Sequence, residues 1–274
     1  MTTLDSSQPE LRSPQSELRS PQSETVLSQL VALSNALGRP ELDYVILGEG
    51  NTSARIDDDS FWVKASGTEL RTIDADGFVR LRIDAVRALA ERDGLSDEQL
   101  KEALAAARVD ASSPRLPSVE TVLHALALSD GGAKFVGHTH PVAVNALTCS
   151  TAMNEMALGR LFPDEIVVLG PAPAYVPYTD PGLPLARAVR ERIRRYVAEW
   201  GTPPKTILLQ NHGLIALGAN PQEVDSITAM SVKTCRVLAG TYAFGGPHFL
   251  SADAARRIHT RPDEAYRRRQ LKLE

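Results

Sequence analysis

The sequence predicts an α/β protein in which one sheet is covered by helices. Short runs of β-branched and aromatic residues bounded by Gly, Asp or Asn indicate strands, and longer amphipathic runs indicate helices. The two kinds of run do not follow strict β-α-β alternation, which favours a single sheet with helices packed on it. Because no internal linker is evident, residues 24–274 are predicted to form one domain.

Residues 1–23 are predicted to be a disordered low-complexity tail. A polar heptad at positions 10–16 is repeated immediately at positions 17–23, with Pro and Ser in each copy. Such a composition buries too little apolar surface to offset the entropy of ordering. Each repeat has only one leucine, which argues against a coiled coil.

The elements of the domain follow in order. A helix should begin near Glu24 and end at Gly38, because leucines recur at helical spacing between them. Predicted strands are 44–47, 60–64 and 78–82, which read as a meander, followed by 134–138, 165–169, 206–210 and 214–217. Predicted helices are 84–92, 96–108, 118–129, 182–200 and 221–243, with short helices after Ser251.

Composition narrows the functional class. Hydrophobic residues make up 43% of the 274 residues, enough for a sizeable core, and the net charge of −4 gives no reason to expect a nucleic acid or membrane partner. Cys149 and Cys235 are far apart in apolar surroundings and are interpreted as buried thiols. Without a signal peptide or a bilayer-length apolar run, the expected location is the cytoplasm.

Three histidines are candidate metal ligands. His138 and His140 are two residues apart on a predicted strand, so both imidazoles should project to one face. His212 lies in the turn that joins two further strands. Each alone is as well explained by an ordinary surface or hairpin histidine. Together they would bind a divalent metal and leave a coordination position open, as catalytic sites do.

Glu120 is a candidate for proton transfer. It comes two residues after Ser118, a plausible N-cap, so an alternative role is to stabilise the start of the helix. As a carboxylate beside a metal-bound substrate it would act as general acid and base. Two glycine turns, at positions 48–53 and 65–68, could form an anion cradle, although ordinary hairpin turns look the same.

Taken together, these segments resemble the class II aldolase/adducin family, over about residues 27–266. The matching motifs, in the family's order, are Gly50-Asn51-Thr52-Ser53, Ala65-Ser66-Gly67, Pro117-Ser118-Val119-Glu120-Thr121, Gly137-His138-Thr139-His140-Pro141 and Asn211-His212-Gly213-Leu214-Ile215. They look closest to a branch near the rhamnulose-1-phosphate aldolases.

The resemblance implies a fold, an assembly and a site. The fold would be a three-layer α/β/α sandwich around a mainly antiparallel sheet, assembled as a homotetramer. The metal, most often Zn²⁺ with Mn²⁺, Co²⁺ or Fe²⁺ as alternatives, would be bound by His138, His140 and His212, with Glu120 as the catalytic acid. The phosphate site would comprise Gly50, Asn51, Ser66, Gly67 and Ser118.

The implied reaction is metal-dependent aldol cleavage or formation of a keto-sugar phosphate through a metal-stabilised enediolate. Epimerisation, decarboxylation or dehydration of a related sugar or keto acid, and an adducin-like binding role, are the alternatives. Val119 replaces a serine found in many relatives, which weakens the case for phosphate. A second proton donor would be a tyrosine, with Tyr175, Tyr178 and Tyr266 as candidates.

Overall fold

A computed structural model describes residues 20–156 and 159–273 of the chain. The predicted disordered tail covers residues 1–23, of which 1–19 lie outside the described residues. For residues 21–23 the prediction is wrong, because they form the start of the first helix, Pro21–Leu37, and Ser23 is buried. Within them, seven strands form one sheet. The strands are β1 Asn51–Arg55, β2 Ser60–Lys64, β3 Phe78–Arg82, β4 Phe135–Thr139, β5 Ala174–Val176, β6 Thr206–Leu209 and β7 Gly213–Gly218.

The sheet is mainly antiparallel, as predicted. Its strand order is β3-β2-β1-β4-β7-β6-β5, and only the pairing of β5 with β6 is parallel. Hairpins join β2 to β1 and β6 to β7, whereas β4 is inserted between β1 and β7. The segments that carry the candidate motifs therefore meet at one end of the central strands β1, β4 and β7. These segments are 48–51, 138–140 and 211–213.

Helices cover both faces of the sheet. They are α1 Pro21–Leu37, α2 Ile83–Ala88, α3 Asp97–Ala106, α4 Thr121–Ser129, α5 Val142–Thr148, α6 Met153–Met156, α7 Pro163–Leu169, α8 Leu183–Trp200, α9 Pro221–Thr241, α10 Ala252–Thr260 and α11 Pro262–Gln270. Helices α2, α3, α4 and α8 enclose one apolar core, and α1, α5, α7 and α9 enclose the other. Successive strand residues feed opposite cores: Ile207 joins the first and Leu208 the second. The α/β/α sandwich is thus confirmed.

Two predicted strands are wrong. Residues 44–47 form a loop, in which Tyr44 and Val45 are buried in the second core without pairing in the sheet, and Leu47 is 76% exposed. The loop is held by a hydrogen bond from the segment before α5, because the backbone oxygen of Tyr44 accepts from the amide of His140. The first strand comes later, as β1.

The run 165–169 is helix α7, not a strand. Its β-branched residues suggest a strand, but Pro163 occupies the first turn together with Asp164, and both are favoured at helix starts. The buried Glu165 also forms an ion pair with Arg160 at 2.9 Å, which anchors this helix to the preceding segment. A tertiary ion pair of this kind is not visible in the local pattern.

Smaller corrections concern boundaries and cysteines. Helix α1 starts at Pro21 rather than near Glu24, and it ends before Gly38 as predicted. Cys235 is buried, whereas Cys149 is exposed and the prediction for it is wrong, because it follows the last turn of α5 at the surface. Among the described residues, no helix is long and apolar enough to cross a membrane.

Candidate active site

Strand pairing brings the three histidines together. His138 lies on β4 opposite Ile215 of β7, and Thr139 lies opposite Leu214. His140 immediately follows β4, and His212 immediately precedes β7. Since β4 and β7 are antiparallel neighbours, the end of β4 lies beside the start of β7, and the imidazoles meet there.

The imidazoles present their Nε2 atoms to one point. The Nε2 atom of His138 lies 3.1 Å from that of His140 and 3.3 Å from that of His212. The ligand atoms of all three residues lie within 4.8 Å of one another. His138 is fully buried and the other two are partly exposed, so the cluster opens to solvent on one side.

Hydrogen bonds at the opposite ring nitrogens fix this orientation. The Nδ1 of His138 donates to the carbonyl oxygen of Leu214 at 2.9 Å, and the Nδ1 of His140 donates to Glu49 Oε2 at 3.0 Å. A neutral imidazole with its hydrogen on Nδ1 has a free lone pair on Nε2. Burial lowers the pKa of His138 to about 4, which favours that neutral form. The cluster therefore fits a divalent cation.

Glycines allow the close approach of these segments. A Cβ atom on Gly213 would lie 2.5 Å from the Thr139 oxygen and 2.7 Å from Cδ2 of His140. Gly50 has a φ of +68°, and a Cβ there would lie 2.8 Å from the His138 oxygen. Any larger residue at either position would push the histidine-bearing strand end away.

Glu120 faces the cluster from the residue that precedes α4. Its Oε1 lies 3.4 Å from Nε2 of His212 and 3.7 Å from Nε2 of His138. Its Oε2 accepts a hydrogen bond from Nδ2 of Asn51 at 2.7 Å. Burial alone would raise the pKa of Glu120, but His138, the Asn51 amide and His212 lower it to about 2. The carboxylate is therefore ionised at neutral pH.

The helix-start interpretation of this segment needs correction. Helix α4 begins at Thr121, so Glu120 occupies the N-cap position and Ser118 lies before the helix. Ser118 Oγ accepts a hydrogen bond from the Glu120 amide at 3.3 Å instead of capping the helix. The Glu120 side chain makes no cap bond, which leaves it turned towards the histidines and Asn51.

The glycine turns lie beside this segment. The amide of Ser66 donates to the Leu116 oxygen at 2.9 Å, so the 65–68 turn contacts the segment just before Ser118. A Cβ on Gly48 would lie 3.8 Å from the Thr68 oxygen, so the other turn is also adjacent. Asn51 was predicted to lie in a turn, but it is the first residue of β1. It is buried, with 5% of its surface exposed.

Several residues in the site were not found from the sequence. Glu49 binds His140, Asn145 Nδ2 donates to the His212 oxygen at 3.1 Å, and His124 contacts Asn51. The buried Lys64 Nζ donates to the Gly48 oxygen at 2.9 Å, and burial lowers its pKa. The signal for Glu49 was an acid between two glycines next to Asn51. For His124 it was a spacing of four residues from Glu120 on one helix.

The candidate tyrosines are placed elsewhere or at the surface. Tyr178 is 57% exposed and donates to Asp180 at 3.1 Å, and Tyr266 is 60% exposed on α11. Tyr175 lies on β5, at the far edge of the sheet from β1. Within the described residues, no hydrogen bond joins any of the three to the histidine cluster.

Comparison with known proteins agrees with this architecture. The family model of the class II aldolase and adducin N-terminal domain matches residues 28–239. The chain belongs to this family. An uncharacterized oxidoreductase of Bacillus subtilis (strain 168), YuxG, is 30% identical over 200 residues, which are 70% of this chain and 26% of that protein. The chain thus spans about a quarter of the length of that relative.

Solved structures show the same fold. The N-terminal class II aldolase domain of a conserved Thermoplasma acidophilum protein is 27% identical, with a TM-score of 0.62 over 86% of this chain and 100% of that one. An L-fuculose 1-phosphate aldolase is 18% identical, with a TM-score of 0.66 over 88% and 98%. An aldolase II superfamily protein from Pseudomonas syringae is 18% identical, with a TM-score of 0.62 over 95% of both chains.

Proposed function

We propose that this protein is a metal-dependent aldehyde-lyase that cleaves or forms a C–C bond in a keto-sugar phosphate. The observation that carries the proposal is the placement of an ionised carboxylate oxygen, Glu120 Oε1, 3.4 Å from Nε2 of His212 within a cluster of three converging imidazoles. Family membership adds a precedent, because structurally similar chains include an L-fuculose 1-phosphate aldolase.

His138, His140 and His212 would hold the metal through Nε2. Three imidazoles suit Zn²⁺, which we propose as the ion, with Mn²⁺, Co²⁺ or Fe²⁺ as alternatives. When bound, the ion supplies a Lewis acid that stabilises negative charge on the substrate's oxygens. The carboxylate of Glu49 behind His140 and the carbonyl of Leu214 behind His138 keep the rings in place for this role.

Glu120 would move the proton. At neutral pH its carboxylate is ionised, so it would enter the reaction in the form that can take a proton from a substrate hydroxyl or carbon and return it later in the cycle. Asn51 holds Oε2 in place, so Oε1 is the oxygen that faces the histidines. Restricting the carboxylate to one orientation keeps it aligned for the transfer.

The adjacent turns would bind the substrate's phosphate. Gly50, Ser66, Gly67 and Ser118 belong to three neighbouring segments, and the amide of Asn51 has a second hydrogen to offer besides the one given to Glu120. The start of α4 at Thr121 adds a favourable dipole. Lys64 lies two residues before Ser66 in sequence and would contribute positive charge when protonated.

The alternative activities share the same residues. An epimerase, decarboxylase or dehydratase would use the same histidines and Glu120 on a related sugar or keto acid. An adducin-like binding role is less well supported, because the three histidines and the carboxylate are arranged as a complete site. The homotetramer is proposed on the family resemblance alone.

A substrate screen with controlled metal content tests the proposal. The protein is stripped with a chelator, reloaded with Zn²⁺, Mn²⁺, Co²⁺ or Fe²⁺, and assayed against keto-sugar phosphates and their unphosphorylated analogues. We expect cleavage only after reloading and a preference for the phosphorylated compounds. Turnover that survives complete chelation would refute the metal-dependent mechanism, and a preference for free keto acids would favour a decarboxylase.

A further inference from the structure

His124 is a fully buried histidine whose place in the site has no role so far. It lies on α4, one helical turn after Glu120. Its Nδ1 lies 2.7 Å from Ser53 Oγ, and its Nε2 is hydrogen-bonded to Asn51 Oδ1. Asn51 in turn donates to Glu120 Oε2 at 2.7 Å. Four side chains thus form one chain of hydrogen bonds that ends on the carboxylate.

The chemistry of these groups fixes the direction of every bond. An ionised carboxylate only accepts hydrogen bonds, so Asn51 must turn its Nδ2 towards Glu120. Its Oδ1, which only accepts, then faces His124, and Nε2 of that ring must carry the hydrogen. The remaining ring nitrogen accepts from the hydroxyl of Ser53. Reversing any one bond would place Asn51 Oδ1 against the negative charge of Glu120.

Burial keeps the ring in the form that this chain requires. Burial, followed by the influence of His138, lowers the pKa of His124 to about 3, so the ring carries one hydrogen at neutral pH. A buried histidine that is only a satisfied core residue could use either neutral form. Here Asn51 and Ser53, both on β1 and both at most 5% exposed, leave one arrangement.

We propose that His124 is a positioning residue that locks the Asn51 amide and through it the orientation of Glu120. An asparagine amide does not pass a proton at neutral pH, so this chain orients the carboxylate and does not relay protons. The role rests on Glu120 being the proton-transfer group of the proposed function. It adds a residue, on the far side of Asn51 from the reacting atoms, on which the rate should depend.

Kinetics of His124 variants test the role. His124→Leu removes the donor to Asn51 and should lower kcat by about 10- to 100-fold, with bound metal nearly unchanged. His124→Gln can donate from its side-chain amide and should recover most of the lost kcat. Leu128→Ala, fully buried on the same helix, is the control: it should lower the melting temperature without a selective effect on kcat.

The hydrogen position provides a test that does not need a substrate. In the ¹⁵N NMR spectrum of the metal-free protein, His124 should carry its hydrogen on Nε2, and Glu120→Ala should introduce a measurable fraction with the hydrogen on Nδ1. A hydrogen on Nδ1 in the wild type, or a kcat for His124→Leu equal to that of Leu128→Ala, would overturn the proposal. If the NMR result is as expected but no aldolase turnover is found, the proposed function is rejected. The orientation of Glu120 by His124 through Asn51 is still supported in that case.

Discussion

In two of the three histidines of the cluster, the two ring nitrogens have separate roles. For His138 and His140 the Nδ1 atoms donate to protein oxygens, and the Nε2 atoms converge. The backbone of His212 is held by Leu209 and by Asn145 on α5. Because protein oxygens hold the rings of His138 and His140, little ordering should be needed when an ion binds, and the affinity should depend on every ligand.

Removing one ligand should empty the site. We expect His212→Ala to lose most of its bound metal and its activity while keeping the fold, because His212 is partly exposed and its side chain is not part of either apolar core. Elemental analysis and circular dichroism measure the two effects. His248→Ala, at an exposed position away from the cluster, is the control and should keep its metal. Full occupancy in His212→Ala would contradict the assignment.

Glu120→Gln should separate binding from chemistry. Glutamine keeps the size of the side chain and can still accept the hydrogen bond from Asn51, but it cannot take up a proton. Turnover should fall by about 10²- to 10⁴-fold with little change in metal content. Steady-state kinetics on a substrate found in the screen provides the measurement. Near-normal turnover would reduce Glu120 to its position at the start of α4.

At the level of elements, the junction between β4 and β7 depends on Gly213. Gly213→Ala would press a methyl group against the Thr139 backbone and the His140 ring. We expect a loss of about 1–3 kcal/mol in unfolding free energy and lower metal content. Gly240→Ala, on the solvent side of α9 with open space around it, should instead be neutral or stabilise by up to about 1 kcal/mol. Equal effects of the two would exclude close packing as the cause.

The start of α1 decides how much of the N-terminus can be removed. Ser20 caps the helix by accepting from the Ser23 amide, and Gln22 Nε2 donates to the Ile56 oxygen at 2.7 Å. Deleting residues 1–22 should therefore cost about 1–2 kcal/mol, mainly through the lost cap. Deleting 1–19 should leave the melting temperature nearly unchanged. A large drop for the shorter deletion would mean that residues 1–19 stabilise the domain.

For the whole molecule, buried neutral histidines make stability depend on pH. His124 has a folded pKa of about 3 against an ordinary 6.5, so below pH 6.5 the unfolded chain binds a proton that the folded protein does not. Stability should therefore rise with pH across this range, by up to about 1.4 kcal/mol per pH unit for one group. His138, with a pKa of about 4, adds in the same direction above that value.

Denaturant unfolding of the metal-free protein checks this dependence. Between pH 6.5 and pH 5 the free energy of unfolding should fall by about 2 kcal/mol for His124 alone. The His124→Gln variant, which has no titrating ring at this position, should lose less over the same interval. A wild-type protein equally stable at both pH values would show that the buried ring accepts a proton without cost.

Whether a helix or strand could be predicted from the sequence depends on whether its conformation is set by nearby residues. Helices α8 and α9 follow from the spacing of their apolar residues, and strands β2 and β3 follow from short β-branched and aromatic runs bounded by turn residues. Two other segments were not predicted correctly, because their conformation depends on contacts outside the local pattern. Helix α7 is held by the ion pair of Glu165 with Arg160. The loop at 44–47 is held by burial of Tyr44 and Val45 in the same core as α1 and α5. Strand β5, with three residues, is too short to give a pattern.

For the site, the sequence by itself determined which residue types are available: three histidines and an acid in an order that resembles one family. Only the tertiary structure decided that His138, His140 and His212 meet at one strand edge, that Glu120 lies before its helix, and that Glu49 and His124 support them. The physical reason is that these partners are brought together by sheet pairing across large sequence separations. Hydrogen-bond direction then fixes their orientation, which no local spacing encodes.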